Sequence, residues 1–328
     1  MKKRLSISDI ALNLGVSVTT VSFILNDKAR EKRISEQLTK RVLDYVKQVG
    51  YKPNQLAKSL RTGKSKTIGL LVEDISNSFF ANIADHIEKL AYEYGYHIVY
   101  CSMNNDVNRA KELIQLFYDR QIDGFIITPT EGLTEIIQRL LKNNVPVVLF
   151  DRNLDDLETN FVISENKEGA LLGVKYLAEE KKAERIGFIT INSEQLQMRG
   201  RLEGYNEAVA AIGLEPLIKR IDASKSDEDT VAAIKDFIVT NKLDGILFAT
   251  NYLALSGLKA IKTFGLPIHK LVSFDENTVF SLVEPPVSAI AQNMGEIAQQ
   301  VVDILISEIN GTNKDLVKVV VPCALIRR

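Results

Sequence analysis

Carboxylates, amides, arginines and aromatic rings gather at a few places in this chain, each directly after a short apolar run. One is the stretch from Asp74 to Phe80, which holds Asn77, Ser78 and Phe79. The others are Asp151 with Arg152, the run Asn192 to Arg201, then Thr250, Asn251 and Tyr252, and Asp275, Glu276 and Asn277. Brought together in one crevice, such groups suit a polyhydroxyl ligand, because charged side chains grip paired hydroxyls and ring faces cover C–H faces. Plainer roles stand beside this one: Asp74 and Asp275 could cap helices, and Phe79 could be core. No catalytic signature accompanies them. There is no P-loop and no G-x-S-x-G, and Gly200-Arg201-Leu202-Glu203-Gly204 is not a phosphate cradle. Cys101 and Cys323 stand far apart, and His86, His97 and His269 have no spacing suited to a shared metal. The residues read as binders, with no enzyme activity, cofactor or metal implied.

The elements that must position these groups are strands alternating with helices. Apolar runs at Ile68–Val72, His97–Cys101, Gly124–Thr128, Val147–Phe150, Ile186–Thr190, Gly245–Phe248 and Leu271–Phe274 read as strands. Between them, Phe80–Tyr94, Ala110–Asp119, Lys167–Ala178, Gly204–Ile212, Thr230–Val239 and Leu253–Phe264 read as helices, followed by a helix at Ile297–Ile309 and a closing strand at Val317–Val321. Near-continuous apolar strands separated by helices predict parallel sheets covered on both faces. Domain-size limits favour two doubly wound lobes over one large sheet, and ligand sites in such lobes lie beyond the carboxyl ends of the strands.

The first 66 residues are different. The chain has 328 residues, 45% hydrophobic and 25% charged, with net charge −1. That sum hides 15 Lys and Arg against 5 Asp and Glu in residues 1–66, a charge of +10, and 26 against 37 in the rest, a charge of −11. A small basic head on an acidic body is the distribution expected when one part meets nucleic acid and the other does not. In the head, Ile10, Ala11 and Leu14 form the stripe of a first helix starting near Ser8-Asp9, and Gly15 breaks it. Ser17 caps a second, whose Val18, Val21 and Leu25 share one face while Thr19, Thr20, Ser22 and Phe23 point the other way. A third runs from Ser35 to Val49 with Leu38, Val42, Tyr45, Val46 and Val49 inward. This is the pattern of a helix-turn-helix, against the alternative of a small bundle with a solvated basic surface. Phe23 opposes the bundle reading, since a simple bundle would leave it in water, whereas a base-reading face can set it against thymine methyls.

Residues 53–66 link head and body, with Pro53 suited to a first helical turn and Gly63 to a stop. A helix of about two turns is shorter than the roughly 12–15 residues that hold alone in water, so it should order only when something orders it.

Ile10-Ala-Leu-Asn-Leu-Gly-Val-Ser-Val-Thr-Thr-Val-Ser22, then Asn26, Gly50-Tyr51-Lys52-Pro53-Asn54, Ala57 and Leu60 resemble the lactose-repressor/galactose-repressor family of bacterial transcription regulators. The likeness continues over essentially the whole chain. It implies a homodimer on a near-palindromic double-stranded operator, with Ile7, Ser17, Val18, Thr19, Thr20, Ser22, Phe23 and Asn26 of the head, and Asn54, Ala57, Leu60 and Arg61 of the hinge, on DNA. Leu60 would wedge a central base step in the minor groove, and Lys58, Arg61, Lys64 and Lys66 would meet phosphates. In the body, which resembles sugar-binding modules shared with periplasmic binding proteins, the resemblance puts Arg201, Asn251, Asp275 and Gln292 against a small sugar-like effector. Asn77, Phe79, Phe80, Asp151 and Tyr252 complete the expected set. Three positions depart from the family: Phe23 replaces an arginine that reads guanine, Tyr252 an acidic residue, and Ser78 a proline.

The expected organisation is therefore an all-α helix-turn-helix head over 1–52, a hinge over 53–66, and an effector-binding and dimerisation body of two parallel-sheet lobes over 67–328. No apolar run approaches the roughly 18 residues of a membrane span, and the residues after Met1-Lys2-Lys3-Arg4 are too polar for a secretory signal, so a cytoplasmic protein is expected. A solute receptor serving a transporter, or a sugar-processing enzyme, are the competing functions.

Overall fold

The structure, a computed structural model, describes residues 5–51, 63–222, 224–312 and 315–328, and divides into two compact units, 1–65 and 66–328. The expected hinge residues Asn54, Ala57, Leu60 and Arg61 lie outside the described residues.

The head is three helices, α1 (Ile7–Leu14), α2 (Val18–Leu25) and α3 (Glu36–Gln48). The first begins slightly earlier than Ser8-Asp9 suggested, at Ile7. Ser6 is its N-cap, in a capping box with Asp9, because Ser6 accepts from the Asp9 amide and Asp9 accepts from the Ser6 amide at 2.7 Å. Gly15 ends it in the left-handed conformation (φ 64°) that a residue with a Cβ adopts at a cost, and α2 then leaves at 112° to α1. Ile10, Ala11, Val21, Ile24 and Val42 form the core, with Leu14, Leu25, Leu38, Tyr45 and Val46 around it. Two expectations need correction. Ile24, not Val18, completes the buried face of α2, and Val18 is 43% exposed; Val49 does not join the core. An eight-residue helix packed against two others buries its centre, so its first residue stays outside.

In the body, the first sheet has strand order β11-β5-β4-β3-β1-β2, all parallel, from β1 (Thr67–Val72), β2 (His97–Ser102), β3 (Gly124–Ile127), β4 (Val147–Phe150), β5 (Asn160–Ser164) and β11 (Lys318–Val321). Helices α4 (Ser78–Glu93) and α11 (Met294–Asn310) cover one face, meeting Ile68, Leu70, Ile126 and Val148. On the other face α5 (Val107–Asp119) and α6 (Thr134–Lys142) meet Leu71, Phe125, Ile127 and Leu149. Alternate residues of one strand thus serve both cores, which is why these strands are apolar throughout.

The second sheet repeats the plan with order β12-β10-β9-β8-β6-β7, from β6 (Ile186–Ile191), β7 (Leu217–Ile221), β8 (Gly245–Phe248), β9 (Lys270–Phe274), β10 (Ser288–Gln292) and β12 (Cys323–Ile326), the last antiparallel. It lies between α9 (Asp227–Asn241) with α10 (Asn251–Phe264) and α7 (Asn166–Lys175) with α8 (Leu196–Ala211). The expected single helix 167–178 is α7 followed by a π turn over Tyr176–Glu180. The chain passes between the lobes three times, from β5 into α7, from β10 into α11 and from β11 into β12. Ser164 pairs with Val321 and Gln292 with Cys323, so the crossings begin on neighbouring strands.

Candidate functional site

The outward face of α2 is held by its caps. Ser17 Oγ accepts from the Thr20 amide at 3.0 Å and lies 2.8 Å from Thr20 Oγ1, while Asn26 Nδ2 donates to the Ser22 carbonyl at 2.7 Å. Val18 and Thr19 are exposed, and Ser22 and Phe23 are half-buried. Phe23 is therefore less naked than the sequence suggested: Lys32 Nζ, ion-paired to Glu31 at 2.7 Å, stands 5.5 Å from its ring centroid. Ile7 leans on the three-helix core.

In the body, the same backbone device closes both lobes. Asp151 follows β4 and Asp275 follows β9; both adopt positive φ (67° and 69°), which aspartate tolerates better than most residues. Asp151 N–H donates to Val162 O at 3.2 Å, and Asp275 N–H to Ile290 O at 2.9 Å. The turn stops each strand and leaves a buried carboxylate at its carboxyl end.

Arg201, on α8 and 2% exposed, anchors the second lobe's half. Its Nε donates to Asn166 Oδ1 at 2.8 Å and Nη1 to Ala249 O at 2.6 Å, with Asp275 Oδ2 3.6 Å from Nη1 and the Phe274 ring centroid 3.7 Å from Cζ. Gln292 Nε2 donates to Asp275 Oδ1 at 2.6 Å, and Ser164 Oγ donates to Gln292 Oε1. A buried polar chain thus runs from α8 through Asp275 to the crossing strands.

Arg152 is the counterpart in the first lobe, 3% exposed. Its Nη2 meets Glu73 Oε2 at 2.7 Å and Asn105 Oδ1 at 3.4 Å. Nε and Nη1 are buried without a hydrogen bond, Asp151 Oδ2 being 3.8 Å from Nε. A cavity of about 240 Å³ opens beside these groups, lined by Asp151, Arg152, Ser164, Asn166, Gln197 and Gly200 among others. The Gln197 Oε1 is also buried and unbonded. Such atoms cost free energy unless a polar ligand or water reaches them, so they mark where a ligand's hydroxyl or anionic groups fit.

Asn251 Nδ2 donates to Ser78 Oγ at 3.1 Å, and Gln195 Nε2 to Asn105 Oδ1 at 3.3 Å, both from the second lobe to the first. Asn77 caps α4 by accepting from the Phe79 amide at 3.0 Å, so the helix-cap roles weighed for Asp74 and Asp275 fall instead to Asn77 and Asn277. Asp74 makes a local turn with Ser76. Phe79 and Phe80 meet edge to face with centroids 5.0 Å apart and sit in the core, Phe80 also edge-on to Phe150.

Burial sets the protonation of two groups. It pushes the Asp151 carboxyl up to about 6; Arg152 and Arg201 oppose this, while Glu73 and Asp275 reinforce it. It also pushes the Tyr252 hydroxyl up to about 12, well clear of neutral pH, where it stays an uncharged phenol. Among the described residues no group of His, Cys, Asp and Glu is placed to hold a metal ion.

Glu73, Asn105, Ser164 and Asn166 were not singled out from the sequence. Glu73 directly follows β1 and Asn105 lies three residues past β2, so the strand-end rule applied to every strand finds both. Ser164 ends β5 and Asn166 lies two residues beyond it, and β5 is not recognisable as a strand from its sequence.

Comparison with known proteins bears on both units. Residues 6–54 match the family of bacterial regulatory proteins, lacI family, and residues 68–313 match the periplasmic binding protein domain. The chain is 29% identical to the HTH-type transcriptional regulator RegA of Clostridium saccharobutylicum, over 98% of both chains. It is 28% identical to the ribose operon repressor of Halalkalibacterium halodurans, over 98% of this chain and 96% of that one. Its fold matches the crystal structure of the lac repressor dimer bound to operator and the anti-inducer ONPF with a TM-score of 0.86 and 22% identity, over 99% of this chain and 98% of the other. Among the described residues no single helix is long and apolar enough to cross a membrane.

Proposed function

This chain belongs to the lacI family of bacterial regulatory proteins, with a periplasmic binding protein domain as its body, and from that premise we propose a division of labour among its residues. It is a ligand-responsive, DNA-binding transcription regulator and not a solute receptor alone. Residues 1–52 bind DNA, 53–66 form the hinge, and 67–328 bind effector and dimerise.

Two subunits set α2 into successive major grooves of a near-palindromic operator, with Val18, Thr19, Ser22 and Phe23 towards the bases and Ser17, Thr20, Asn26 and Ile7 supporting that face. Asn54, Ala57, Leu60 and Arg61 of each hinge meet the minor groove between the half-sites. The protein acts in the cytoplasm as a repressor and returns its effector unchanged, without catalysis.

The effector is a small sugar or sugar derivative. The observation that carries this is the doubled arrangement of a buried carboxylate beside a buried guanidinium, Asp151 with Arg152 in one lobe and Asp275 with Arg201 in the other. Paired acceptors and donors of this kind match vicinal hydroxyls, with Asn251, Gln292 and Tyr252 supplying further hydrogen bonds and Asn77, Phe79 and Phe80 shaping the first lobe's wall. Effector binding shifts the population between lobe arrangements that present the hinges differently to DNA.

Calorimetric titration of the purified protein with D-ribose and a panel of pentoses, hexoses and their phosphates tests the effector assignment. One compound should bind the parent, lose at least tenfold in affinity in Asp275→Asn, and alter operator binding. If no sugar in the panel binds, the sugar assignment is wrong. Leu60→Ala tests the hinge: unchanged operator affinity would remove the wedge.

A further inference from the structure

The outward face of α2 contains no side chain that can make a two-pronged hydrogen bond to a base. Guanine is read by Arg or Lys, adenine by Asn or Gln, and cytosine by Asp or Glu; thymine alone offers a methyl group to an apolar contact. Val18, Thr19, Ser22 and Phe23 supply two valine methyls, a threonine methyl, a phenyl ring and two hydroxyls. The one amide at the end of the helix, on Asn26, donates to the Ser22 carbonyl. Thr20 Oγ1 lies within hydrogen-bond distance of the Ser17 cap. The cations near this face, Lys28, Arg30, Lys32 and Arg33, follow the helix in the connection to α3 and suit phosphates.

The exposure of this face also has a cause. Val21 and Ile24 fill the head's core, which leaves Val18 at 43% exposure and Phe23 half-buried with the Lys32 ammonium near its ring. In an isolated head these apolar groups gain nothing from water. The charge of +10 over residues 1–66 selects a polyanion as the occupant of this face, and the second helix of a helix-turn-helix is the one that enters the major groove.

We infer that α2 reads its half-site through thymine methyl groups, with Val18 and Phe23 as the specificity-determining residues. This rests on the DNA-binding reading above. Discrimination then comes from burying the C5 methyl, and the hydroxyls of Thr19 and Ser22 add single, tolerant hydrogen bonds. A methyl buried in such a contact corresponds to about fourfold in affinity.

The full-length protein is first used to select operators from random double-stranded DNA. The selected duplex is then compared with copies in which each thymine in turn is replaced by deoxyuridine, which removes only the methyl. At one or two symmetric positions in each half-site the loss should be about fourfold per methyl. The same substitutions outside the half-sites should have no effect. In Phe23→Ala one of these losses should vanish, and in Val18→Ser, at an exposed position where folding is safe, the other. If the selected operator tolerates deoxyuridine at every position, or if both variants keep the parent's methyl dependence, the inference is overturned. If no sequence is enriched at all, the DNA-binding reading fails and this inference fails with it.

Discussion

The guanidinium of Arg201 lies 3.7 Å from the centroid of the Phe274 ring, and the next residue in the chain is Asp275, whose carboxylate it also faces at 3.6 Å. One side chain from α8 therefore fixes both the ring that ends β9 and the carboxylate that follows. The plane and fork of arginine are needed for this, because it stacks, donates to Asn166 and Ala249, and faces Asp275 together.

Arg201→Lys should accordingly fail as a conservative change. The charge is kept but the stack and at least one hydrogen bond are lost. Arg201→Ala, which leaves Asp275 buried without its cation, should cost about 3–5 kcal/mol. Thermal unfolding of both variants, with calorimetric titration of the effector, checks this. Arg201→Lys at parental stability and affinity would refute the anchoring role.

Asp151 gives a pH dependence of definite sign. Its carboxyl titrates near 6 in the folded chain against an ordinary value of 3.8, so between those values the folded state holds more protons than the unfolded one. Stability must then fall as pH rises through this window, by up to about 3 kcal/mol from this group at about 1.4 kcal/mol per unit. Asp151→Asn should flatten that part of the unfolding profile and raise stability above pH 6, while weakening effector binding. Chemical denaturation at pH 4, 5, 6 and 7 measures it.

Gly204 marks the closest approach of two helices. A Cβ built there would lie 2.0 Å from the Lys167 carbonyl oxygen, a backbone atom of α7 that has no room to yield. Alanine normally improves a helix interior by about 1 kcal/mol over glycine, but prising α7 from α8 costs about 1–3 kcal/mol or more. The clash should win, so Gly204→Ala should lower the melting temperature. A rise would show that the two helices part freely.

Arg328 ties Glu276 down from outside the crevice. It donates to both Glu276 oxygens at 2.8 and 3.1 Å and to Val287 O at 2.9 Å, holding the turn that starts at Asp275. Arg328→Ala should cost about 1–2 kcal/mol of stability and reduce effector affinity severalfold. The Glu276→Gln variant should do the same more weakly. Titration calorimetry on the pair separates this from a purely structural effect, since a change that leaves effector affinity untouched would confine Arg328 to stability.

How far these relationships could be read from sequence depends on the element. Strands buried on both faces, such as Phe125-Ile126-Ile127 and Val147–Phe150, announce themselves as apolar runs. Of the four strands missed, three lack that mark; the fourth, β12, is apolar but set off from β11 only by Pro322. In β7, Leu217-Ile-Lys-Arg-Ile221 lies at a sheet edge and its apolar run is cut short by two adjacent cations. In β10, Ser288-Ala-Ile-Ala-Gln292 is made largely of small residues, and in β5, Asn160-Phe-Val-Ile-Ser164 polar ends flank three apolar residues. Helix α6 has no side-chain N-cap to announce its start. The site followed the same division. Asp151, Arg201, Asn251 and Asp275 stand after recognised strands or in recognised motifs. Ser164 and Asn166 were hidden with β5, and the partnership of Arg152 with Glu73 joins residues 79 positions apart, which no local pattern encodes.

The three crossings of chain between the lobes invert the order in which the body can be completed during synthesis. The first lobe is begun at Thr67, yet its helix α11 and edge strand β11 occupy residues 294–321 and leave the ribosome only after nearly all of the second lobe. Until then Ile68, Leu70, Ile126 and Val148 lack the cover of Val301 and Leu305. Within the body, the usual sequence, in which the N-terminal part folds first, cannot apply to the two lobes. The second lobe is close to complete while the first still waits, and a chain released before residue 294 would expose the apolar face that its own last helix was meant to close.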